Sequence, residues 1–210
     1  FPYTTLFRSG LFNPAADIKP SAIAMFKPRD RCLQPEEIGV LFRSLDTVST
    51  FPTLKLAVKL ILITMVRKTE FIMATWKEVD FSKGTWTIPS DRMKGSRSHV
   101  IYLPPQALDL MVGLQMCAGG SDYLLPGRYS TSKPLSNAAL NSVIDRAVAA
   151  AADAGENLQP LTVHDLRRTA STLLHEAGFP SDWIEKALAH EQKGVRAVYN
   201  KAEYSRQRAY

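Results

Sequence analysis

The chain has 210 residues, 45% of them hydrophobic, which is enough to bury a core and reads as one domain. A net charge of +6 and a pI near 9.4 fit a nucleic-acid partner without requiring one, since many ordinary domains reach the same balance. The longest apolar stretch, 54–66, is broken by Lys55 and Lys59 and is too short to span a bilayer, so no membrane role is expected.

Residues 1–9, Phe-Pro-Tyr-Thr-Thr-Leu-Phe-Arg-Ser, match the in-frame translation of a widely used sequencing adapter and are set apart from the fold. Residues 10–33, with Asn13-Pro14, Pro20, Pro28 and Arg29-Asp30-Arg31, read as a linker. Helical periodicity starts after Gln34, with Pro35, Glu36 and Glu37 in the first turn and Ile38, Leu41, Phe42 and Leu45 on one face. A second helix over 54–66 is apolar nearly throughout, so it is expected to be buried, with Arg67 at its end.

From Trp76 to Leu103 the period shortens to two. Strands are expected at 76–81, 85–89 and 99–103, joined by Ser82-Lys83-Gly84 and by Lys94-Gly95-Ser96-Arg97. Helices resume at 105–117, 136–152, 162–177, 182–190 and 195–200, with Thr162 as an N-cap and Gly178 just past a C-terminus. The fold class is therefore α+β, mainly α, with one small three-stranded antiparallel sheet. Cys32 and Cys117 are far apart in no metal-ligand spacing, and no leader opens the chain; a reduced, intracellular protein follows.

The chemistry gathers on Arg67, Lys94, His164, Arg167, His190 and Tyr199. His164 and Arg167, three apart, share a helical face. Two arginines, a lysine, two imidazoles and a phenol suit attack on a phosphodiester, because they provide a charge clamp, an acid and a nucleophile without a metal. Each has an ordinary alternative. Arg67 could be a helix-end cation, with Glu70 orienting it, and Lys94 a solvated turn lysine beside Arg92 and Arg97. His164 could be a core histidine or a partner of Asp165, and His190 a helix cap. Tyr199 could be core or rim, with Tyr204 and Tyr210 as competitors. No cluster of carboxylates offers a two-metal site, which disfavours a metal-dependent nuclease.

The order of these six residues resembles that of the tyrosine recombinases of the phage integrase family, with local wording most similar to prophage-type integrases. It is carried by Met65-Val66-Arg67-Lys68-Thr69-Glu70, by Trp86-Thr87-Ile88-Pro89 with Arg92-Met93-Lys94, by Thr162-Val163-His164-Asp165-Leu166-Arg167-Arg168-Thr169, and by Ala187-Leu188-Ala189-His190 through Tyr199-Asn200. Together these cover residues 34–204.

The resemblance implies the DNA breaking–rejoining fold, with 34–210 as a catalytic domain cut short at its C-terminus and 10–33 as the tail of a missing N-terminal DNA-binding domain. Arg67 and Arg167 would grip the scissile phosphate, Lys94 would protonate the leaving 5′ oxygen, and His164 and His190 would hydrogen-bond the phosphate and assist proton movement. Tyr199 would be the nucleophile, giving a 3′-phosphotyrosyl intermediate without metal, ATP or other cofactor. Arg92, Arg97, Arg168 and Lys201 would touch DNA. The partner implied is double-stranded DNA, bound by a homo-tetramer when full length and by a monomer as this fragment, in the cytoplasm and nucleoid of a bacterial host. A non-catalytic DNA-binding module of the same fold, a type IB topoisomerase-like relaxing enzyme and a helical interaction domain are the alternatives.

Overall fold

The computed structural model describes residues 30–93, 97–190 and 200–209. Helix α1 (Pro35–Thr47) begins as expected, with Pro35 in its first turn. The Glu37 carboxylate accepts the Gln34 N–H at 3.0 Å and pairs with Arg31. Helix α2 (Pro52–Thr64) is apolar except for Thr53 and Thr64 and for Lys55 and Lys59, which reach Asp46, and Ala57, Val58, Leu60 and Ile61 are fully buried. It packs against α4 (Pro105–Cys117), α5 (Ala139–Asp153) and α6 (Val163–Glu176), while α1 lies on α5. Burial of each such large aliphatic side chain contributes about 1.5–3 kcal/mol, so α2 is the rigid axis of the core.

Helix α2 stops two residues earlier than its apolar run predicts. Met65 takes a left-handed conformation (φ 54°) and turns the chain into α3 (Lys68–Ile72). The sheet is antiparallel in the order β1 (Val79–Asp80), β2 (Thr85–Ile88), β3 (His99–Tyr102). Trp86 pairs with Ile101 and Ile88 with His99, and the alternation of β2 sends Trp86 and Ile88 into the core. The Trp86 ring lies 5.3 Å from that of Phe71 in α3, which fixes the sheet to the segment after Arg67.

The first strand differs from expectation. Residues 76–78 form a 3₁₀ turn and only Val79–Asp80 pair with β2. The Glu78 carboxylate accepts both the N–H and the hydroxyl of Thr75 at 3.0 Å, and this local capping competes with strand extension. A second hairpin, β4 (Pro126–Gly127) with β5 (Ser130–Pro134), was not foreseen, since its exposed Ser-Thr-Ser-Lys lacks apolar alternation.

Helix α6 is capped as predicted: the Asp165 carboxylate accepts the N–H and hydroxyl of Thr162 at 2.8 and 2.9 Å. Gly178 follows the helix with φ 82°. The entering chain is tied to α6, because the Leu33 N–H donates to Thr169 Oγ1 at 2.9 Å and Arg168 donates to the Arg31 carbonyl at 3.4 Å. Helix α7 (Ser181–Ala187) ends before the predicted 190 because Ala189 is left-handed (φ 50°). The helix expected over 195–200 lies outside the described residues save Asn200, while a short α8 (Ser205–Arg208) was not anticipated. Among the described residues, no helix is long and apolar enough to cross a membrane.

Candidate active site

Arg167 is the structural centre of the site. It is 5% exposed, and its two terminal nitrogens donate to the carbonyls of Met65 and Leu188. Both acceptors sit at the C-terminal ends of helices, α2 and α7, where carbonyls lack intrahelical partners and the helix dipole is negative. Both ends are shaped by a left-handed non-glycine residue, Met65 itself and Ala189 after Leu188. A guanidinium has five N–H donors, so two carbonyl bonds fix its plane while leaving donors for a ligand. Burial, and then the nearby Arg67 charge, pull its pKa down to about 10; it remains a cation at neutral pH.

Arg67 stands at the turn between α2 and α3. The Glu70 carboxylate, 7% exposed, accepts the Arg67 N–H at 3.1 Å and holds its guanidinium at 2.7 Å. Arg67, His164 and Arg167 line one groove of about 270 Å³, together with Lys68, Thr162 and Asn141. His164 rides on the first turn of α6 with its side chain exposed. Partial desolvation, then Arg168 and Arg167, hold its pKa below the ordinary value. A neutral imidazole can donate through one nitrogen and accept through the other. The groove thus pairs two cations with a neutral hydrogen-bonding group, an arrangement suited to a tetrahedral anion.

His190 meets the same centre from the other side. Its Nε2 is 3.5 Å from an Arg167 nitrogen, and its Nδ1 is 2.8 Å from Glu185 Oε2. A carboxylate only accepts, so Nδ1 carries the proton toward Glu185 and Nε2 faces Arg167. Glu185 therefore sets the tautomer, a role that sequence reading missed. Its only trace there was a carboxylate five residues before a histidine near a helix end.

The structure thus brings Arg67, His164, Arg167 and His190 together. Lys94 and Tyr199 lie outside the described residues, as does Tyr210. Of the residues expected on DNA, Arg97 and Lys201 are exposed. Arg92 is engaged instead: it pairs with Glu78 and donates to the Glu70 carbonyl at 3.1 Å. Arg168 pairs with Asp165 at 3.0 Å. Tyr204, a competing phenol, is built into the α7 end of the fold. Its hydroxyl lies 2.9 Å from Asn200 Nδ2 and 3.5 Å from Asp182, and its ring lies 6.4 Å from Trp183.

The sequence profile of the phage integrase family matches residues 31–206. The chain belongs to the phage integrase family. Prophage integrase IntA of Escherichia coli K12 is 33% identical over 177 residues, covering 84% of this chain and 41% of that protein. Prophage integrase IntZ of the same organism is 32% identical over 197 residues, covering 93% of this chain and 46% of that protein. The chain therefore spans about half the length of the curated relatives it matches.

Among solved structures, the Tn1549 transposon integrase in complex with circular intermediate DNA superposes with a TM-score of 0.67 at 17% identity, covering 99% of this chain and 73% of that one. A lambda integrase tetramer bound to a Holliday junction gives 0.64 at 17% identity, covering 96% and 56%. At that identity the likeness establishes a shared fold: the mainly helical domain with a small antiparallel sheet is that of tyrosine recombinase catalytic domains.

Proposed function

We propose that this integrase-family domain is the catalytic part of a site-specific DNA recombinase that cleaves and rejoins strands through a 3′-phosphotyrosyl intermediate. The observation that carries this reading is the convergence of Arg67, His164 and Arg167 on one groove, with His190 turned toward Arg167 by Glu185.

In this reading Arg67 and Arg167 hold the two non-bridging oxygens of the scissile phosphate. Bidentate guanidinium geometry suits that task better than an ammonium does. The Tyr199 oxygen attacks phosphorus while the bond to the 5′ oxygen breaks. The phenolic proton passes to the histidine side of the site, and Lys94 protonates the departing 5′ oxygen. A phenol ionises near pH 10, so a phosphotyrosine is a good enough leaving group for a second 5′ hydroxyl to displace it. Bond energy is kept in the covalent intermediate, so the cycle needs neither ATP nor a metal. Fixed cations on the equatorial oxygens lower the barrier in the way oxyanion holes do.

Double-stranded DNA is the partner, engaged by a tetramer of the longer protein in the bacterial cytoplasm. The test is incubation with nicked half-site DNA, followed by denaturing electrophoresis. A denaturant-resistant protein–DNA band with the parent chain and none with Tyr199→Phe is the expected result. A band that survives Tyr199→Phe would assign the nucleophile elsewhere.

A further inference from the structure

His99 opens β3 opposite Ile88, between the sheet and the end of α7. Its Nε2 lies 3.2 Å from the carbonyl of Ala187. A carbonyl only accepts, so Nε2 carries the proton and donates, which fixes the tautomer. Burial lowers the His99 pKa to about 4, with Arg208 and, more weakly, Arg167 acting the same way while the Ala187 bond and Glu70 oppose; the ring is neutral at physiological pH.

Ala187 is the last residue of α7, and the next carbonyl in the chain, that of Leu188, receives Arg167. Left-handed Ala189 follows, then His190. Two consecutive carbonyls are thus held by side chains from different parts of the fold, one from β3 and one from α6. A left-handed alanine costs about 1–2 kcal/mol and persists only where its surroundings impose it. Arg167 alone grips one side of that turn; His99 grips the other.

We propose that His99 is a positioning residue for the recombinase site: its bond to Ala187 fixes the 187–190 turn, so that the Leu188 carbonyl meets Arg167 and His190 faces the phosphate groove. This rests on the function proposed above. His99 touches no reacting atom in this role. It acts through the turn, and the hydrogen bond rather than the bulk of the ring is what matters.

Two substitutions in the 210-residue chain separate bond from bulk. His99→Leu fills the space without a donor, whereas His99→Gln places an amide N–H near the position of Nε2. At saturating nicked half-site DNA, His99→Leu should slow adduct formation by about 10- to 100-fold, the scale of a misplacement near 1 Å, with DNA affinity changed by less than about twofold. His99→Gln should recover most of that loss. In parallel, amide exchange at His190, whose N–H bonds the Glu185 carbonyl at 2.9 Å, should speed up in His99→Leu and return in His99→Gln, while amides of α2 stay protected.

Leu and Gln variants that behave alike, or a uniform loss of protection through α2, would overturn the proposal. The exchange readout needs no cleavage. A parent chain that forms no adduct therefore counts against the recombinase reading, while a local, Gln-rescued rise in exchange still supports the role of His99 in the turn.

Discussion

Arg167 donates a hydrogen bond to the main-chain carbonyl of Met65, 102 residues earlier, and Met65 is itself held left-handed at the end of the largely apolar helix α2. A single side chain thus ties α6 to the terminus of α2 and, through Leu188, to the terminus of α7. Burying a guanidinium is costly unless its donors are met, and helix-end carbonyls are costly unless they are capped. Each satisfies the other.

Arg167→Lys should therefore damage stability as well as chemistry. An ammonium cannot reach two carbonyls in one plane, and an unmet buried polar group costs about 1–3 kcal/mol. Thermal denaturation should show a clear loss, and cleavage should fall by about 10²- to 10³-fold, the range for removing one preorganised donor. An unchanged melting temperature would mean that the two carbonyl bonds add nothing to stability.

Glu185→Ala should act on chemistry alone. Glu185 and His190 are both about half-exposed, so folding should survive the change. Without the carboxylate the imidazole is free to rotate or change tautomer, and adduct formation should slow by about 10- to 100-fold. Glu185→Gln keeps an acceptor for Nδ1–H and should lie between the two. The comparison is a single-turnover rate at saturating DNA, beside a binding curve that should hardly move.

Arg92 and Arg97 should part company. Arg97 is exposed, and if it neutralises a phosphate, Arg97→Ala should reduce the dependence of log K on log salt by about 0.9. Arg92 is held by Glu78 and the Glu70 carbonyl, and Trp86 Nε1 donates to the same Glu78 at 3.1 Å. Arg92→Ala should lower the melting temperature while leaving the salt slope alone. A reduced slope would show that Arg92 leaves Glu78 to meet DNA.

Stability should fall on mild acidification. The folded His99 pKa, about 4, lies below the ordinary value of about 6.5, so the unfolded chain takes up a proton first. The contribution is fully present above pH 6.5 and is lost as pH falls toward 4, by up to about 3 kcal/mol. His164 is shifted the same way and adds to the trend. The charges near His99 are Arg208, Arg167 and Glu70. Urea unfolding between pH 5 and 6.5 should show a shallower pH dependence in His99→Gln; an equal slope would place the titration on another group.

What could be read from sequence was what depends on local rules. The apolar run of α2, the period-two stretch around Trp86, the Thr162 cap and the spacing of His164 and Arg167 all follow from neighbours in the chain. Residues 76–81 read as a strand because the alternation was apolar enough, but Glu78 reaching back to Thr75 curled the segment into a turn. The parts that order the site were not legible because they depend on main-chain carbonyls and long-range contacts. Nothing in the residue types of Met65 or Leu188 announces that their carbonyls will receive Arg167. His99 read only as the first residue of a strand, since its partner, Ala187, is 88 residues away.

The bonds from Leu33 to Thr169 and from Arg168 to Arg31 give the entering chain a mechanical meaning. Thr169 and Arg168 stand within two residues of Arg167 on the same helix. Residues 31–33 are thus fastened directly to the helix that carries His164 and Arg167. A shift of residues 31–33 would therefore act on α6 one and two residues from Arg167.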